Sequence, residues 1–361
     1  MRRFYIVLLI GFLFLFALFG DASMRGAVRG LELFAHGVFP ALFPFSVCIG
    51  CLKRLGFFDM RESGGFFALL RLFFLGALAG NPTGSMMLAT IGSESEGRLS
   101  AAERSVYTAL FNLASPVFII GTVGSRLFAF RSQLPALLLL MSHYISALLL
   151  FSLCYVVKHS VGKVRRAEAY ARASTPQIRS LSSQDVSLIS VFPSALLQSI
   201  TTMLKLCGTI VFFVSLTELF MRLPLLSSLQ APIRPLAVGM LEMTNGLSLI
   251  ASSSLDLRSS LSLACFIMSF GGICIFMQAN AVSPVRAGVY IAVKLAHGFF
   301  AALICFLAFP LFISGSVSVM GSGSERLLER TLTTLQIALL CFISSASAAL
   351  SAIFISKRTR A

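Results

Sequence analysis

A chain of 361 residues that is 57% hydrophobic and only 12% charged, with a mean hydropathy of +0.90, is not a soluble globular domain. Such a domain carries about twice that charged fraction. The composition is that of a polytopic membrane protein, and the net charge of +15 then belongs to Lys- and Arg-rich loops beside anionic lipid rather than to a nucleic-acid surface.

The elements follow in chain order. Arg2-Arg3 precede an apolar run over 4–20, which reads either as a signal peptide with small residues for cleavage over 17–23 or, given that the run is long for a signal core, as the favoured retained first helix. A second span covers 36–52, where Pro40 and Pro44 are expected to bend it. Then comes LFFLGALAGNPTGSMML, residues 72–88, with Gly80, Asn81, Pro82, Thr83 and Gly84 at its centre. Proline removes a backbone donor and disfavours helix at the residue before it. Between apolar flanks this spacing predicts a helical hairpin over 66–91 with a polar tip at membrane depth. Such backbone is tolerated only where protein buries it or it lines a wet cavity. The competing reading is a small-residue packing face, because Gly76, Gly80 and Gly84 lie four apart.

A polar loop, SESEGRLSAAER, leads to a third span over 106–123 holding Asn112, Ser115 and Pro116, and a fourth over 135–157 holding His143. Residues 158–185 form a basic linker with the Ser, Pro and Gln content of solvated chain. The second half follows the same order. A span over 186–220 contains Lys205 and Glu218, and a second hairpin over 235–252 centres on Glu242-Met243-Thr244-Asn245-Gly246. A span over 261–281 holds Gly271, Gly272 and Gln278, and another over 287–312 holds Lys294 and His297. A last helix over 331–355 ends in Lys357, Arg358 and Arg360.

The halves match weakly but in order: AGNPTG with MTNG, NLASPVF with FMQANAV, and MSHYISALLLF with KLAHGFFAALICF. The expected fold is therefore all-α, with about eight transmembrane helices and two re-entrant helical hairpins in an inverted repeat. Its parts are an N-terminal helix (1–30), a first repeat (31–157), the linker (158–185), a second repeat (186–314), and a C-terminal helix with a basic tail (315–361). This topology puts Lys and Arg inside over outside by about two to one, as the positive-inside rule requires.

FPALFPF, AGNPTGS, NLASPVFIIG with SHYISALL, GMLEMTNG, SFGGICIFMQ and KLAHGFF, spread over 30–312, resemble the YlbJ-like sporulation integral membrane proteins. That family belongs to the nucleoside-recognition, or Gate, group related to concentrative nucleoside transporters. The resemblance implies a multi-pass protein of the mother-cell or outer forespore membrane in an endospore former. It also implies a role in spore maturation with dipicolinate as cargo. The family's first tip more often reads S-G-[YF]-P-x-G; here Asn81 stands in place of the aromatic, which bears on substrate choice.

Intramembrane polar and ionisable groups are costly and usually mark a pathway. Glu242 leads the substrate-binding candidates, set against the plainer role of capping its own tip. Asn81, Thr83, Ser85, Ser115, Thr244, Asn245, Gln278 and Lys294 complete the set. His143 and His297 occupy matching positions and are expected to be satisfied by neighbouring helices. The eight cysteines lie in apolar segments, and neither a nucleophile–base pair nor metal-ligand spacing is visible. An enzyme, a metal and a cofactor are therefore not expected. The expected function is transport of a small polar or anionic metabolite, with a nucleoside transporter or a non-transporting assembly protein of sporulation membranes as rivals. The partners are a small-molecule substrate, the lipid bilayer and a coupling H+ or Na+, with a homo-oligomer left open and no nucleic acid.

The charge count predicts that the N-terminus, the 158–185 linker and the C-terminus share the cytoplasmic face. Accessibility labelling of single cysteines checks this, and a linker labelled from outside the cell would overturn the inverted arrangement.

Overall fold

The computed structural model describes residues 2–55, 65–94, 100–130, 132–169, 187–224 and 228–313, and every regular element among them is helical. Helix α1 (Arg2–Leu18) meets α2 (Gly20–Leu33) at a sharp bend; the direction changes by 97° between Arg3–Leu18 and Gly20–Val38. The chain then stays helical through a π-helical stretch, Phe34–Val38, into α3 (Phe39–Arg54). The span expected over 36–52 is thus the second half of a longer helical segment. Its first half, α2, is polar but buries Ala22, Gly26 and Gly30, spaced four apart. That spacing is a close-packing signal the sequence reading passed over.

The partner of this segment is α8 (Leu188–Arg222), which carries Pro193 without interruption. A Cβ on Gly26 would lie 2.5 Å from the Cα of Ser215, and one on Gly30 2.8 Å from the Cα of Val211. Further along, Ser46 Oγ donates to Ser199 Oγ at 2.9 Å and Arg54 donates to the Gln198 amide oxygen at 3.3 Å. Low numbers meet high numbers, so the two segments run antiparallel.

Two hairpins follow these long helices, one in each half. The first is α4 (Gly65–Ala79) and α5 (Thr83–Glu94); the second is α9 (Ile233–Leu241) and α10 (Met243–Ala251). Each is followed by a broken span. In the first half α6 (Ala101–Phe111) stops, residues 112–115 are non-helical, and helix resumes into a π-helical segment, Phe118–Leu127. In the second, α11 (Leu257–Phe270) and α12 (Gly272–Val282) are separated at Gly271. The break therefore falls in SFGGICI, not in FMQANAV, the stretch matched to NLASPVF on sequence. A long helix closes each half: α7 (Leu134–Ala169) and α13 (Ala287–Ile313).

Local chemistry explains several of these boundaries. Gly80 and Gly271 both have φ of +85°, a left-handed conformation that glycine adopts without a Cβ penalty. The sequence Ser100-Ala-Ala-Glu103 forms a capping box at α6, with Ser100 and Glu103 each satisfying the other's backbone N–H. Asp256 caps α11, and the Ser259 hydroxyl and N–H hold its carboxyl below the usual range.

Each hairpin lies on the broken span that follows it. Gly76 and Gly84, on opposite arms of the first hairpin, both face the carbonyl of Phe111, where α6 ends; a Cβ on Gly84 would collide with it. A Cβ on Gly80 would sit 2.8 Å from that of Ser115. So both sequence readings hold at once: the helix breaks at Gly80, and the three glycines form a packing face. In the second half Gly246 meets Gly239 across the hairpin, and a Cβ on Gly272 would lie 3.0 Å from the Gly239 carbonyl oxygen.

The burial pattern is that of a protein in lipid. On α13, Tyr290, Lys294, His297, Ala301 and Cys305 are buried, whereas Phe299, Leu303, Leu307 and Leu311 are exposed. Among the described residues, four helical spans are long and apolar enough to cross a membrane, or five if the bent pair at the N-terminus counts as one. The eight crossings expected are therefore not reached among the described residues. The backbone of 158–169 continues α7 as helix, so the linker expected to be solvated begins as helix. The rest of the linker, and the helix and tail expected over 315–361, lie outside the described residues.

Gly84→Ala and Gly246→Ala each place a methyl where backbone already lies, and are expected to cost about 1–3 kcal/mol. Gly288, which has open space around it, is the control. Thermal unfolding in detergent should separate the first two from Gly288→Ala, and equal midpoints for all three would refute the packing argument.

Candidate functional site

The two tips and the two broken spans meet at one cavity of about 490 Å³. The first tip contributes Gly80 and Asn81, and the first break Ala114 and Ser115. The second tip contributes Glu242 and Thr244, and α12 contributes Cys274 and Gln278. The remaining wall is α2 with its π-helical continuation, the segment ending at Arg126, and Ile210 of α8.

Glu242 is the residue around which the second tip is built. Its backbone is extended (φ −140°, ψ 117°), and one carboxylate oxygen accepts from Thr244 N at 3.0 Å, the other from Asn245 N at 2.8 Å. The side chain thus caps α10, and the tip is a single residue rather than the five-residue stretch expected. Capping does not take it out of the cavity, whose wall it also forms. At the first tip Asn81 Oδ1 is buried with no hydrogen-bond partner. Ser115 Oγ accepts from Phe118 N at 3.2 Å and so caps the helix that resumes there. Gln278 Nε2 donates weakly to Cys274 Sγ at 3.3 Å. Half-helices that begin at Asn81, Ser115 and Glu242 turn their N-terminal partial charges toward the space.

Of the nine residues singled out on sequence, five line the cavity: Asn81, Ser115, Glu242, Thr244 and Gln278. Four do not. Thr83 and Ser85 are buried behind the first tip, and Asn245 is buried with both side-chain amide atoms unpartnered. Lys294 is buried in α13, and its Nζ donates to the Asn112 carbonyl at 3.0 Å. Lys205 is exposed on α8. The reading missed Arg29 and Glu32, which lie between the first two expected spans, His36 at the start of the second, and Arg126. The Ala22-Gly26-Gly30 spacing was the available signal that α2 packs against the bundle.

The first break is supported from behind by α7 and α13. Ala114 N–H donates to His143 Nε2 at 3.1 Å, and the Ala114 carbonyl lies 2.8 Å from the Tyr144 hydroxyl. That hydroxyl is also 2.9 Å from the Ala77 carbonyl in the first hairpin, and with one hydrogen it serves one of the two at a time. Asn112 Nδ2 donates to the Tyr290 hydroxyl at 3.0 Å. No group of three or more His, Cys, Asp or Glu arranged to hold a metal ion occurs among the described residues.

Apolar helices exposed to their surroundings, with both hairpin tips and the first helix break turned inward on a shared cavity, define an all-α integral membrane protein. Among known proteins, the chain is 24% identical over 335 residues to the sporulation integral membrane protein YlbJ of Bacillus subtilis (strain 168), covering 81% of this chain and 79% of that one. This likeness supports assignment of the chain to the YlbJ-like family and, with the apolar helices, a membrane location. No protein-family profile matches, and no solved structure matches.

If the Glu242 carboxylate shapes the tip, Glu242→Gln keeps one of its two backbone hydrogen bonds and Glu242→Ala keeps neither. Stability in detergent should fall by about 1 kcal/mol for Gln and by roughly 2–3 kcal/mol for Ala. Equal loss in both variants would remove the two-bond cap from the account.

Proposed function

We propose that the chain is a membrane transporter that moves a small polar or anionic metabolite during endospore formation, with dipicolinate the first candidate. One observation carries this reading: two hairpin tips, the first helix break and the half-helix α12 that follows the second break, drawn from both halves of the chain, converge on one cavity with polar groups set in a largely apolar wall. Interrupted helices at a shared cavity are costly to build in lipid, and their general use is to bind a solute between two moving halves. A scaffold has no need of them.

The arrangement proposed is a pair of inverted repeats, 31–157 and 186–314, with eight crossings in all. Its support is the common order of long helix, hairpin, broken span and closing helix, together with the antiparallel meeting of the two long helices. The anionic reading draws on the half-helix N-termini at the cavity and on Arg126 and Arg29 in its wall, Arg29 being paired with Glu218 at 2.9 Å. Dipicolinate itself comes from the YlbJ-like resemblance, as does the mother-cell or outer forespore membrane. A nucleoside is the second reading, favoured by the uncharged hydrogen-bonding groups of Asn81, Ser115, Thr244 and Gln278.

Purified protein in proteoliposomes should take up labelled dipicolinate in preference to nucleosides, with and without proton or sodium gradients. Glu242→Gln should lower that uptake by about tenfold or more, a larger effect than its loss of stability alone explains. Preference for nucleosides would move the substrate to the second reading. Full uptake by the Gln variant would leave Glu242 as a cap only, and no uptake of either solute would end the transport reading.

A further inference from the structure

Behind the cavity, away from the solute, two histidines meet at the interface between the halves. His143 of α7 and His297 of α13 have ring centroids 4.9 Å apart, and both are fully buried. Their hydrogen bonds fix their tautomers. His143 Nε2 accepts from Ala114 N–H, so its proton is on Nδ1, which donates to Ser269 Oγ at 2.7 Å. His297 Nε2 lies 3.0 Å from the His143 carbonyl and must donate to it. That leaves His297 Nδ1 as a lone pair with no partner in a fully buried ring.

A core histidine kept only for packing satisfies both nitrogens, as His143 does. The open lone pair on His297 is the feature that packing does not explain. The described residues set against the pair are Tyr144 on α7, Lys294 on α13 and Ser269 on α11, none of them a carboxylate. Lys294 has no ion pair among the described residues and is held by the Asn112 carbonyl.

Resting on the transport reading above, we propose that His143 and His297 together bind the proton that is coupled to solute movement. The His297 Nδ1 lone pair, which has no partner in the resting arrangement, accepts the proton. The second station is His143 Nε2, where a proton and Ala114 N–H compete for one lone pair. Occupation by the proton releases Ala114, and Ala114 and Ser115 line the cavity. Release of the proton restores the bond. The solute and the proton then act on opposite sides of one short non-helical stretch.

The full chain in proteoliposomes, with dipicolinate as probe, tests this in two assays: exchange at equal pH, and net accumulation under a pH gradient of one unit with the membrane potential clamped. One proton per solute drives accumulation toward about tenfold per pH unit. His297→Gln should lose this accumulation, while equal-pH exchange falls far less. Ser269→Ala, which removes the acceptor for His143 Nδ1–H, should keep accumulation and move the pH midpoint of exchange. Undiminished accumulation by His297→Gln overturns the proposal. Exchange by the unaltered chain with no response to the gradient overturns the coupling and leaves transport standing. No exchange at all overturns transport and the coupling with it. Should His297→Gln fail to assemble, the unaltered chain and Ser269→Ala decide the matter.

Discussion

The backbone from Asn112 to Ser115 carries hydrogen-bonding groups that no helix satisfies, inside a bundle whose surroundings offer none. Much of the buried polar chemistry of this protein answers that one demand. His143, Tyr144 and Lys294 reach the stretch from two closing helices, and Asn112 turns its own amide to Tyr290. Removing any one would leave a backbone group unpaired at low dielectric, where the loss is largest. The same demand explains why polar residues on α7 and α13 face inward while their apolar residues face out.

The second break is solved by different means. Gly271 turns the chain in a left-handed conformation, and Gly272 lets the backbone of the second hairpin come into contact. Few side chains are required, because glycine brings backbone against backbone. One half thus supports its break with side chains from neighbouring helices and the other with close packing. The Ser269–His143 bond joins the two solutions.

Glu242 shows how a capping role and a site role coincide. A carboxylate at membrane depth is tolerable when two backbone N–H groups hold it, and those groups need an acceptor just as much. Glu242 shares the cavity wall with Arg29, Glu32, His36 and Arg126. Asn81, by contrast, presents an acceptor that nothing in the protein occupies. The first tip thus keeps a buried acceptor unpaired where the second is internally bonded.

Membrane class, helical content and the location of the first tip were legible in the sequence. Hydropathy, and a proline between glycines flanked by apolar runs, are local signals, and lipid leaves a chain few alternatives to helix. Glu242 as a tip residue was legible for the same reason, because an ionisable group in an apolar run is conspicuous; the matching positions of His143 and His297 were visible too, but not that their rings meet. The second break was displaced because Gly271-Gly272 looks like ordinary helix packing until the φ angles are known. Lys294 was assigned to the solute because its charge is visible in sequence while its partner, the Asn112 carbonyl, lies 182 residues away. Arg29, Glu32 and His36 entered the cavity only through the packing of Gly26 and Gly30 on α8, a contact between segments far apart in the chain. Sequence determined which residues are too polar for lipid; the tertiary structure decided which of them are spent satisfying backbone and which remain free to meet a ligand, because that division depends on partners that only folding brings within hydrogen-bonding distance.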